Sequence, residues 1–143
     1  MLSKPKYGWT NINLGSFNGR GSYLTDIPLD CLNSFINALK YSLPASIYFD
    51  EEGSEFILTA YFSGVYIISE REKTELIKIE IQFLDLINEV IKDIEDNFND
   101  WLLWTDYYEE HTLKDNEGLK IRKNNMENKI NILKSMLNEY KQP

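Results

Sequence analysis

At Gln82 the hydrophobic period of the chain changes from two to 3.6, and that switch fixes what can be built on either side of it. Before it, "SIYFDEEGSEFILTAYF" reads as two short strands, Ser46 to Phe49 and Glu55 to Phe62, around the acidic turn Asp50 to Gly53. "SGVYIISEREKTELIKIEI" repeats the pattern, with Ser63-Gly64 and Glu70 to Lys73 as turns and Ile77, Ile79 and Ile81 alternating with Lys78 and Glu80. The product is an antiparallel meander of up to four strands with one face toward a core. After Gln82, Phe83, Ile87, Val90, Ile91, Ile94, Phe98, Trp101 and Leu102 fall on one side of a helix. Asp85, Glu89, Asp93, Asp96 and Asp100 fall in a narrow arc opposite, an acidic ladder in which like charges one turn apart cost about 0.2–0.5 kcal/mol per pair.

The flanks complete the pattern. "YGWTNINLG", Tyr7 to Gly15, alternates as a first strand, and Gly15, Gly19 and Gly21 then mark a flexible polar connection. Leu29, Leu32, Phe35, Ile36, Leu39 and Leu43 predict a helix over about Pro28 to Ser42, with Asp26 as its cap and Pro44 barring its continuation. A final helix is predicted from Leu119 to Tyr140, because Leu119, Met126, Leu133 and Tyr140 recur every seven residues with Ile130 and Leu137 between them. Lys123 interrupts that stripe. The expected fold is α+β: an antiparallel sheet of four to five strands packed against helices, with a long C-terminal amphipathic helix. One domain covers 1–143, divided into an α+β core over 1–104, an acidic and aromatic connection over 105–118 and the helix over 119–140.

Charge narrows the function. The net charge is −8, and residues 1–104 hold sixteen acidic side chains against eight basic ones, whereas the remainder is balanced at seven of each. A field of that sign repels nucleic acid and anionic lipid and speeds encounter with cationic partners. No apolar run reaches the roughly 18 residues of a membrane helix, and the N-terminus lacks the apolar stretch of a secretory signal, so a cytoplasmic protein is expected. Catalytic chemistry finds few parts. Cys31 is the sole cysteine, so an intramolecular disulfide and a cysteine zinc cage are excluded, and His111, the sole histidine, lies in a polar segment far from Cys31 with no hydrolase signature around either, so nucleophilic catalysis is not expected. "DEEGSE" lacks the spacing of a calcium loop, and Asp93, Asp96 and Asp100 have no phosphate-binding glycine loop to serve, so neither a metal nor a cofactor is expected.

Binding is what the remaining residues suit. In "NDWLLWTDYYEEH", Asn99 to His111, aromatic anchors sit among carboxylates. Trp101 shares the angle of the core residues. Trp104, on the border of that face, joins Asp93, Asp96, Asp100, Asp106, Tyr107, Tyr108, Glu109 and Glu110 as a candidate partner surface, and the turn residues Asp50, Glu51, Glu52 and Glu55 form a second.

Taken in order, "GWTNINLGSF", "YLTDIPLDCLNSFINAL", "IYFDEEGSEFIL", the isoleucine-rich hairpin and an acidic helix ending in "DWLLW" resemble the small acidic immunity proteins of bacterial polymorphic-toxin systems, including those of contact-dependent growth inhibition. The resemblance covers Trp9 to Trp104 and is one of pattern, without a diagnostic motif. It implies a protein that binds one cognate toxin domain, commonly a basic nuclease, and blocks its active site or nucleic-acid path. Two other classes remain: an adaptor that forms a homodimer through the C-terminal helix, and a metal-dependent hydrolase using the carboxylates.

Overall fold

A computed structural model describes residues 1–104 and 116–141. In chain order the elements are β1 (Trp9–Leu14), β2 (Phe17–Ser22), α1 (Ile27–Tyr41), β3 (Ala45–Asp50), β4 (Glu55–Tyr61), β5 (Gly64–Glu70), β6 (Thr74–Ile79), α2 (Phe83–Asp96), α3 (Phe98–Leu102) and α4 (Asn116–Lys141). The meander is as the period-two pattern predicts: β3-β4-β5-β6 form one antiparallel sheet in sequence order. Its inner face carries Ala45, Ile47, Phe49, Phe56, Leu58, Ala60, Val65, Ile67 and Ile79, all at most 3% exposed.

The first strand does not join that sheet. It pairs with β2 in a separate two-stranded hairpin, with Trp9 opposite Ser22 and Leu14 opposite Phe17. Gly19 and Gly21, expected in a flexible connection, are therefore inward-facing strand residues, while Gly15 stands in the exposed turn between β1 and β2. A Cβ on Gly19 would lie 2.7 Å from the Phe56 ring, and one on Gly21 would lie 2.5 Å from Ile27 Cδ1. Neighbouring side chains occupy the space, so only glycine lets the hairpin reach the core. Phe17 seals the contact edge-to-face on Phe56, with centroids 4.7 Å apart.

Two further expectations are corrected. The helix after Gln82 is broken at Asn97 (φ −127°, ψ 38°) into α2 and α3. The break re-phases the chain, so that Trp104, on the border of the apolar face in an unbroken helix, turns inward beside Trp101 with ring centroids 5.1 Å apart. Asp26 precedes α1 without making a side-chain cap. Its carboxylate instead receives Arg122 of α4 at 2.8 and 3.1 Å, and the same guanidinium donates to the carbonyls of Trp101 and Leu102, both at 2.9 Å. One side chain thus ties α4 to the start of α1 and the end of α3.

The heptad stripe of α4 packs as predicted over Met126, Ile130, Leu133 and Leu137, which are buried in the same core cluster as the sheet and α1. Tyr140 departs from it, remaining 48% exposed with its ring 5.5 Å from Phe62. No described helix is long and apolar enough to cross a membrane.

Candidate protein-binding face

The register of the meander places its outer side chains in three rows. Tyr48, Ile57, Ile68 and Leu76 are successive partners across β3 to β6. On one side of this apolar row lie Asp50, Glu55 and Glu70, and on the other Ser46, Thr59, Tyr66 and Lys78. At about 4.8 Å per strand the apolar row spans roughly 14 Å. Exposure rises toward its ends: Ile57 and Ile68 are half-buried, while Tyr48 is 41% and Leu76 70% exposed.

The acidic row works against the fold. Asp50 stands directly opposite Glu55, and Glu55 directly opposite Glu70. Like charges in that position destabilise a sheet. Among the described residues none of the three has an ion-pair partner within 4.0 Å. Tyr48 responds to them: the hydrogen bond from its hydroxyl to Glu55, then burial, then the charges of Asp50 and Glu55 push the phenol up to about 12. Its proton is thereby held on the aromatic end of the row. Among the described residues, no three His, Cys, Asp or Glu side chains group as metal ligands.

The other expected acidic positions fare differently. Glu52 is exposed at the tip of the β3–β4 turn, but Glu51 is buried at 7% side-chain exposure. It accepts Arg71 Nε at 3.2 Å and Nη2 at 2.9 Å, the Ser54 hydroxyl at 3.0 Å and the Arg20 N–H at 3.1 Å, so it is a clasp between hairpins and not a partner contact. Burial raises its pKa, and the hydrogen bonds from Arg71, Arg20 and Ser54 with the Arg71 charge outweigh that and lower it below the ordinary glutamate value. A depressed carboxylate contributes stability above its unfolded pKa and loses it as pH falls through the folded value. Urea unfolding from pH 6 down to pH 3 should therefore show a loss that Glu51→Gln reduces; equal pH slopes in the two proteins would refute the clasp.

Within the acidic ladder Asp93 is taken up by the fold, whereas Asp96 and Asp100 stay 54% and 43% exposed with surface contacts. Asp93 accepts the Met1 ammonium and the Leu2 N–H, both at 2.8 Å. Asp96 pairs with Lys92 at 2.6 Å, and Asp100 lies 4.0 Å from Lys4 on the far side of the helix break. Trp104 is 2% exposed and its indole N–H donates to the Thr25 carbonyl at 2.8 Å, which removes it from the expected partner surface. Asp106, Tyr107, Tyr108, Glu109 and Glu110, with His111, lie outside the described residues. Cys31 is buried, and burial followed by the charges of Asp30 and Asp26 raises its thiol pKa, keeping it protonated.

Compared with protein families, curated proteins and solved structures, the chain matches none significantly. The face therefore has to be read from its own residues. Tyr48, Ile57, Tyr66, Ile68, Glu70 and Leu76 are the members that the sequence reading missed. A signal for them exists in the adjacent apolar pairs Ile57-Leu58 and Ile67-Ile68, where strand alternation can send only one of each pair to the core.

Proposed function

We propose that this chain is a cytoplasmic immunity protein that neutralises a cationic toxin domain, such as a nuclease, by stoichiometric binding and performs no reaction itself. The observation that carries the reading is the row Asp50, Glu55 and Glu70, three carboxylates in register beside a partly exposed apolar row. An arrangement that costs the free protein stability is repaid when lysines or arginines of a partner enter it. Tyr48, Ile57, Ile68 and Leu76 supply the desolvated contact that turns a steered encounter into a lasting complex. The resemblance to toxin-immunity proteins supplies the class of partner. The acidic surface matches what a phosphate-gripping enzyme presents.

The rival reading, an adaptor dimerising through the C-terminal helix, has less to support it, because Met126, Ile130, Leu133 and Leu137 are buried within the chain. The reading predicts a neighbouring reading frame for a large secreted protein with a variable C-terminal domain, and the test is co-expression with that domain. Growth should be restored, and toxin activity in vitro should fall to zero at a one-to-one ratio. Continued toxin activity with excess protein would reject the reading.

A further inference from the structure

We propose that the partner adds an extended strand to the open edge of β6, making a fifth strand of the meander; this rests on the binding role above and specifies how the partner docks. The first support is the direction of the backbone groups. Glu51 N–H donates to the Ser54 carbonyl at 3.0 Å, which closes the β3–β4 hairpin and sets the phase of the whole ladder. In that phase the directly bonded pairs are Phe49 with Phe56, then Ile57 with Ile68, then Ile67 with Ile77. Glu75, Ile77 and Ile79 thus spend their N–H and C=O groups on β5. Thr74, Leu76 and Lys78 aim theirs at the edge, where no described strand pairs with them.

The side chains fit the same occupant. On the outer face the apolar row ends at the edge in Leu76, its most exposed member. On the inner face a hollow of about 860 Å³ lies beside the strand, lined by Phe17, Arg71, Glu72, Lys73, Glu75 and Ile77 among others. A strand added to β6 sends alternate side chains to these two places. The outer position calls for an apolar residue against Leu76. The inner one calls for a polar residue, since Arg71 and Lys73 stand in the hollow beside Glu72 and Glu75. A second copy of this chain is the poorer occupant, because it brings the same net charge of −8 to the edge.

Amide hydrogen exchange on the full chain, alone and with the toxin domain that the proposed function predicts, reads the edge directly. Binding should slow the Leu76 and Lys78 amides by about a hundredfold or more, with the Ile77 amide protected in both states. Leu76→Pro, which removes an edge donor and leaves the β5 ladder intact, should keep the fold and weaken binding by about tenfold or more. Binding with the Leu76 and Lys78 amides still exchanging freely would overturn the strand addition and leave the immunity role standing. Absence of any binding would overturn both. Concentration-dependent protection of these amides in the protein alone would give the edge to a second copy and overturn the proposal.

Discussion

Arg122→Ala is expected to lower the unfolding free energy by about 3 kcal/mol. The guanidinium is 13% exposed and satisfies both Asp26 oxygens and two carbonyls at the end of α3. Truncation leaves a part-buried carboxylate without its counter-charge, and losses of that kind reach about 3–5 kcal/mol when both partners are buried. Asp26 is 28% exposed, which places the loss at the lower end of that range. Two carbonyls also lose their donor. For a chain of this size the change corresponds to a fall of roughly 10 °C in Tm. Arg122→Lys should recover little, since a single ammonium cannot span a carboxylate and two carbonyls in the planar fork that arginine provides. Lys134→Ala, which removes the exposed pair with Glu95, should cost less than about 1 kcal/mol. Urea unfolding of the three variants decides the matter, and an Arg122→Ala loss no larger than that of Lys134→Ala contradicts the assigned role.

Glu70→Lys should move stability and binding in opposite directions. In the fold, the substitution changes a like-charged cross-strand pair with Glu55 into an attractive one, for a gain of about 0.5 kcal/mol. Toward a cationic partner it replaces attraction by repulsion, and a loss of about 2 kcal/mol, roughly thirtyfold in Kd, is expected, most of it in the association rate and its salt dependence. A variant that folds more tightly and binds less well is the pattern of a surface shaped by function against stability. Glu139→Lys, exposed on α4 and outside the three rows of the sheet, is the control and should leave affinity near that of the parent. Should Glu70→Lys lower both quantities, or neither, the acidic row has another purpose.

Periodicity made most of the architecture legible. The meander, α1 and α4 follow from apolar spacing alone, because burial of one face is what selects those spacings. Strand β2 was not legible: Gly19 and Gly21 read as flexibility in one dimension, and only the proximity of Phe56 and Ile27 shows that they are glycines for want of room. Asn97 likewise interrupts a helix whose apolar phase runs on without a visible fault. Acidic residues were the least legible. Glu51 and Glu52 are neighbours in one turn, yet one is a buried clasp and the other is exposed, a difference set by Arg71 twenty residues away. Arg122 offered no signal at all, since its four acceptors come from Asp26 and the end of α3. Of the expected partner residues, Asp50 and Glu55 lie on the face, and their companions Glu70, Tyr48 and Leu76 required the strand register to find.

Isoleucine methyl resonances offer the most direct test of the face as a whole. Ile57 and Ile68 lie on the outer row, Ile12, Ile27, Ile47 and Ile94 lie in the core, and Ile121 and Ile132 are exposed on α4. On addition of the toxin domain that the proposed function predicts, the Ile57 and Ile68 methyl signals should shift most, with the core and α4 signals near their free positions. A complex that moves Ile121 or Ile132 and leaves Ile57 and Ile68 unchanged would contradict the account.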